Sequence, residues 1–84
     1  MNVTVRYFAS LRESLGAGES VALGARTTSV GALRDQLIAR SDAHAQALAR
    51  GRAIRTALDQ TLCDESAPLH DGAEVAFFPP VTGG

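Results

Sequence analysis

The 84-residue chain contains no lysine: all eight of its basic residues are arginine. It also has no tryptophan, one tyrosine and one cysteine. A single cysteine, Cys63, excludes an internal disulfide and fits a reducing compartment; it reads as a small buried apolar residue rather than a nucleophile. No apolar run approaches the ~20 residues of a membrane span. The opening Met1-Asn2-Val3-Thr4-Val5-Arg6 has neither the charged n-region nor the apolar h-region of a signal peptide. The expected location is therefore the cytoplasm, with no membrane partner. Basic tracts are missing too: eight Arg and nine acidic residues are interspersed at net charge −1, which argues against a nucleic-acid partner. The one local group, Arg50, Arg52 and Arg55, reads as a solvated edge. No catalytic set is visible either: there is no Cys with a convincing His partner, no metal-ligand spacing, no GxGxxG or P-loop sequence, and the carboxylates are scattered.

What is present is a small folding domain. With 45% hydrophobic residues the chain is not a disordered one, and at this length it buries a little over ~60% of its unfolded surface. Alternation in the segment from Val3 to Phe8 predicts a first strand with Val3, Val5 and Tyr7 on one face and Thr4, Arg6 and Phe8 on the other. Ser10 to Leu15 predicts a short helical turn stopped by Gly16. Glu19 to Leu23 alternates again as a second strand. After Ser29, a good N-cap, the helical spacing of Val30, Leu33, Leu37 and Ile38 predicts the main helix over Val30 to Arg40.

Asp42 is then read as capping a further turn from Ala43 to Arg50, with Leu48 as its anchor and Gly51 as its stop, and His44 as a surface residue. Ile54, Thr56 and Leu58 give a third strand, Asp59-Gln60 a turn, and Thr61-Leu62-Cys63 a short return. The turn pair Asp71-Gly72, with His70 facing water, leads into a last strand from Glu74 to Phe78. This order predicts an α+β fold, a mixed sheet with one main helix on one face, as in a ubiquitin-like β-grasp with the first and last strands adjacent at the centre. The domain spans residues 1–78. Val75 and Phe77 then face the helix, while Ala76 and Phe78 join Phe8 on the open face as an apolar docking patch.

Residues 79–84 form a protruding, flexible tail. Pro79 has no N–H to continue a ladder, and Pro79-Pro80 favours a stiff extended segment. Val81-Thr82-Gly83-Gly84 follows, and glycine without a Cβ gives the thinnest backbone for threading a narrow channel. Extended at about 3.3 Å per residue, the end stands roughly 20 Å from the fold. The expected reactive atom is the carboxyl carbon of Gly84, beside Gly83. An anionic carboxylate is a poor electrophile and needs activation, most simply as an acyl adenylate made by a partner using ATP. Activated acyl groups are attacked by amines, and Lys supplies a nucleophilic amine where Arg effectively does not. Lack of lysine would spare such a carrier from acylating itself; the richness in Ala, Arg and Gly offers a coding bias as the plainer explanation.

The run from Pro68 through Asp71-Gly72-Ala73-Glu74-Val75-Ala76-Phe77-Phe78-Pro79-Pro80-Val81-Thr82-Gly83-Gly84 resembles the end of the molybdopterin synthase small-subunit family, the MoaD sulfur carriers. The opening Val5-Arg6-Tyr7-Phe8-Ala9-Ser10-Leu11-Arg12-Glu13 is similar to that family's start. The resemblance implies a β-grasp fold, adenylation at Gly84 by an E1-like enzyme using ATP, and conversion to a thiocarboxylate. It implies no cofactor or metal bound by the chain itself. It further implies insertion of the tail, Pro79 to Gly84, into the large synthase subunit within a heterotetramer, where sulfur passes to cyclic pyranopterin monophosphate. On this resemblance the chain is a carrier and not a catalyst alone, with Gly83 and Gly84 as the functional terminus and Phe8, Leu62 and Phe78 on the partner-binding surface. Asp59 stands where Asn is expected, and Ala73 where an acid is common. Three other readings stay open at this level: the related carrier of thiamin-thiazole synthesis, a ubiquitin-like modifier joined to lysines, and a plain interaction domain.

Overall fold

The computed structural model describes residues 1–80. Five strands, β1 (Asn2–Tyr7), β2 (Gly18–Ala22), β3 (Arg55–Leu58), β4 (Thr61–Cys63) and β5 (Glu74–Phe78), form one mixed sheet in the order β2-β1-β5-β3-β4. The two ends of the chain meet at its centre. β1 runs parallel to β5, with Val5 opposite Val75 and Tyr7 opposite Phe77, and antiparallel to β2. β3 lies antiparallel to both β4 and β5. This is the ubiquitin-like β-grasp expected from the element order.

The two-residue period of the strands decides which side chains are covered. Val3, Val5 and Tyr7 of β1 and Val75 and Phe77 of β5 are buried on one face. Over that face lies α2 (Val30–Ile38), which contributes Val30, Leu33 and Leu37 to the same core. Leu11 of α1 (Ser10–Leu15) and Leu48, just after α3 (Asp42–Ala47), close its ends. α1 stops at Gly16, whose φ of 88° is the left-handed conformation glycine adopts without cost.

α2 begins as expected, with the Ser29 hydroxyl accepting from the Ala32 N–H at 3.1 Å. The next free N–H groups of its first turn are taken by the segment before β5: Val30 donates to the Ala67 carbonyl and Gly31 to that of Glu65. Glycine suits that approach, because a Cβ at position 31 would sit 3.1 Å from the Glu65 side chain and press it to shift by a few tenths of an ångström. The helix ends at Ile38 rather than at Arg40. Arg40 N–H bonds back to the Leu37 carbonyl in a tightened last turn, and Ser41 already caps the next helix.

That cap corrects the reading of α3. The Ser41 hydroxyl accepts from His44 N–H at 3.1 Å, so Asp42 is the first helical residue and not the cap, its charge placed favourably against the helix N-terminus. The helix also stops well before Gly51. Leu48 turns into the core with no exposure, and its carbonyl is taken by the Nε of Arg34 at 2.8 Å. Arg34 is itself buried. Its guanidinium also donates to the Ala49 and Arg52 carbonyls and pairs with Glu65 at 2.8 Å, so it caps the whole 48–52 segment.

His44 is a second correction, since it is no surface residue. Its Nε2 lies 2.8 Å from the Glu19 carboxylate, which also accepts from the Tyr7 hydroxyl at 2.8 Å and from Arg40 at 2.7 Å. The arginines read as a solvated edge, Arg50, Arg52 and Arg55, are all exposed, and Arg50 is also tied to Asp35, Glu65 and the Gly31 carbonyl. No helix among the described residues is long and apolar enough to cross a membrane.

Candidate functional site

Among the described residues no helix or strand covers the sheet face opposite α2, and the alternation that buries Phe77 turns Phe78 outward. Register then assembles a patch across four strands. Arg6, Ala76, Ala57 and Leu62 lie in one row, Arg6 opposite Ala76, Ala76 opposite Ala57, and Ala57 opposite Leu62. The next row toward the tail holds Phe78 with Arg55 opposite it. Phe8 lies one residue past the end of β1 and extends the ladder through its N–H to the Phe77 carbonyl at 3.2 Å. Phe8 and Leu62 are 45% and 65% exposed, large apolar side chains that a folded chain ordinarily hides. Between them the methyls of Ala57 and Ala76 make a shallow floor.

Local structure fixes the two rims of this patch. At Phe8, the Leu11 N–H bonds to the Phe8 carbonyl at 3.1 Å, and Ala9 between them has φ 53° and ψ −129°. Those angles are those of the first central residue of a type II′ turn, a position that favours glycine. At Leu62, the β3–β4 hairpin turns through Asp59 and Gln60 at φ 50° and 69°, the primed geometry a two-residue hairpin needs. Asp59 then locks that hairpin onto β5. Its N–H donates to the Glu74 carbonyl at 2.8 Å, its Oδ1 accepts from Glu74 N–H at 3.0 Å, and its Oδ2 meets His70 Nε2 at 2.6 Å.

The hydrogen bond from His70 and that from the Glu74 backbone hold the Asp59 carboxyl below its usual range, and Asp59 in turn raises His70. His70 is exposed, as expected, yet engaged. Ala73, at the position where the resemblance makes an acid common, is fully buried ahead of β5. Cys63 is half-buried, with its sulfur 3.5 Å from the Thr56 hydroxyl.

The structure thus brings Phe8, Leu62 and Phe78 onto one open face, with half-buried Pro79 and Pro80 next in the chain after Phe78. Val81, Thr82, Gly83 and Gly84 lie outside the described residues. Among the described residues no group of three or more His, Cys, Asp or Glu could hold a metal. Sequence reasoning missed the Ala57–Ala76 floor, although Ala76 was placed on the open face. The burial of Arg34 it also missed, although that residue falls four after Val30 and three before Leu37, inside the apolar stripe of α2.

Comparison with known proteins gives a consistent result. The model of the ThiS family matches residues 5–84. The chain is 45% identical over 82 residues to the molybdopterin synthase sulfur carrier subunit of Escherichia coli strain K12, an alignment that spans 98% of this chain and 99% of that one. It is 37% identical, over the same shares, to the subunit of that name from Haemophilus influenzae. Among solved structures, it is similar to a chain from the complex of subunits 1 and 2 of molybdopterin-converting factor of Helicobacter pylori 26695, with a TM-score of 0.69, 27% identity and 100% of both chains covered.

Proposed function

The chain belongs to the ThiS family, and on that premise we propose that it is the sulfur carrier subunit of a molybdopterin synthase. The observation that carries this reading is the end-to-end 45% identity with a carrier subunit of that name. The open face supports it, because a carrier must be held by its partners while its reactive end reaches into them. Phe8, Leu62 and Phe78 are the proposed dock. Pro79, Pro80, Val81 and Thr82 are the proposed spacer, and Gly83 with Gly84 the working end. The partners are the large synthase subunit and an E1-like adenylating enzyme; the similarity to a subunit found complexed with its counterpart favours the first.

In this mechanism the chain itself binds no cofactor and performs no catalysis. At the E1-like partner the Gly84 carboxylate attacks the α-phosphorus of ATP and expels pyrophosphate, and the resulting acyl adenylate has an electrophilic carbonyl carbon. A sulfur nucleophile then displaces AMP and leaves a thiocarboxylate. Its terminal sulfur attacks cyclic pyranopterin monophosphate in the large subunit, and Gly84 returns to the carboxylate when water takes up the acyl group.

The test is intact mass after incubation with the E1-like enzyme, ATP and a sulfur donor. Exchange of one terminal oxygen for sulfur is expected, and no exchange would sink the reading. Complementation of a mutant lacking its molybdopterin carrier, alongside one lacking its thiazole carrier, separates the two pathways; rescue of the second strain alone would overturn the assignment.

A further inference from the structure

Phe78 has a neighbour on each side in the open face. β1 brings Phe8 to one flank, because Tyr7 lies opposite Phe77 and the next residue follows in step, and β3 brings Arg55 directly opposite on the other. Cross-strand neighbours on one face have Cβ atoms about 5 Å apart, so a pocket that closes over the Phe78 ring also covers the stem of Arg55. Arg6, one row away, is the other cation of this face, and Glu74 answers it at 3.1 Å. Among the described residues the ion-paired arginines are Arg6, Arg34, Arg40 and Arg50; exposed Arg55 is not one of them. Asp64 and Glu65 share a surface cavity of about 340 Å³ with it, yet both are engaged elsewhere: Asp64 accepts from the Ser66 N–H and hydroxyl, and Glu65 from Arg34 and Arg50. The apolar patch therefore ends on one uncompensated positive charge.

We infer that Arg55 is a specificity-determining residue of the dock: it pairs with an Asp or Glu carboxylate that the large subunit presents beside its pocket for Phe78. The pairing rests on the dock proposed above for Phe8, Leu62 and Phe78. Those apolar side chains supply contact area without direction, whereas a guanidinium offers a planar fork of N–H donors that fits a carboxylate in one orientation. A surface lacking that carboxylate would close over Phe78 only by stripping water from an unpaired guanidinium. Arg55 thus attracts an acidic surface and disfavours a neutral or basic one. Before docking it stands in water at the edge of the patch, where its field steers encounter and is screened by salt.

The test is titration of the large subunit at two salt concentrations that bracket the physiological value, about 0.05 and 0.5 M. Wild type is compared with Arg55→Gln, Arg55→Lys and Arg55→Glu. Arg26→Gln makes the same change in net charge as Arg55→Gln, but in the loop after β2, whose last residue Ala22 pairs with Asn2 at the far end of β1; Phe78→Asp reports the dock itself. At low salt Arg55→Gln should bind about tenfold more weakly than wild type, Arg55→Lys less so and Arg55→Glu more so, while Arg26→Gln stays within about twofold. At high salt the gap between wild type and Arg55→Gln should shrink. As an exposed residue, Arg55 should leave the melting temperature within a few degrees in all three variants, so affinity is read apart from folding.

If wild type binds and Phe78→Asp does not, but Arg55→Gln binds as wild type does, the pairing is overturned while the carrier reading stands. A loss in Arg55→Gln that is the same at both salt concentrations, that tracks a lowered melting temperature, or that Arg26→Gln reproduces would also overturn it. Failure of wild type to bind the large subunit would instead sink the dock, and this inference with it.

Discussion

Ala9 holds φ 53° and ψ −129°, a conformation that costs an L-residue roughly 1 kcal/mol or more. It does so at the turn that sets Phe8 on the open face, where a glycine would be relaxed. Ala9→Gly is therefore expected to raise stability by about 0.5–1 kcal/mol in urea unfolding, the gain from relief of strain exceeding the added freedom of the unfolded chain. A loss of stability would mean that Ala9 is not strained. Tyr7 offers a second test at this scale. Burial, and then the hydrogen bond to the Glu19 carboxylate, push its hydroxyl well above the usual value of 10.0. It is the only tyrosine, so phenolate absorbance reads it directly. The folded state keeps a proton that the unfolded state loses, so this contribution to stability is whole below about pH 10 and is lost as pH rises above it. Phenolate should appear only with unfolding; half-titration near pH 10 in the folded chain would refute the buried pairing.

Between elements, Arg34 joins α2 to the 48–52 segment and, beside the Gly31 backbone bond, to Glu65 through four hydrogen-bonded contacts. Replacing it with methionine keeps the stem and strands three carbonyls and a carboxylate. The expected cost is about 3 kcal/mol or more, against a smaller loss for Arg34→Lys, which keeps the charge but not the fork. Equal effects of the two would show that charge alone matters.

The same residue marks where the sequence stops being legible. Strand faces were readable because alternation is local: Val3, Val5 and Tyr7 are buried as the period requires, and Phe78 faces out because Phe77 faces in. Arg34, His44 and Asp59 were not, because each is explained by a partner far along the chain: Glu65 and Leu48, Glu19, and Glu74 with His70. Ser41 and Asp42 are both good caps, and only the bond to His44 N–H decides between them. The residues proposed to dock were legible for two different reasons, Phe8 and Phe78 through their alternation and Leu62 only through resemblance.

At the scale of the whole molecule, adjacent phenylalanines separate folding from docking. Phe77 is fully buried at the sheet centre, stacked 6.4 Å from Tyr7, and its truncation to alanine removes a large core side chain at about 3–5 kcal/mol. A small domain holds only about 5–15 kcal/mol in total, so Phe77→Ala should lower the melting temperature sharply and weaken association only because less chain is folded. Phe78 is half-buried on the open face, where an aspartate keeps its head in water. Phe78→Asp should therefore melt within a few degrees of wild type while losing binding to the large subunit by more than about tenfold, the scale of a buried aromatic anchor. Phe8→Asp should act the same way, since it shares that face and its backbone bond to Phe77 is unaffected by its side chain. Calorimetry on the isolated chain and titration against the large subunit measure the two effects apart. If Phe78→Asp unfolded the domain, or bound as wild type does, the open face would not be the dock, and the tail alone would have to carry recognition.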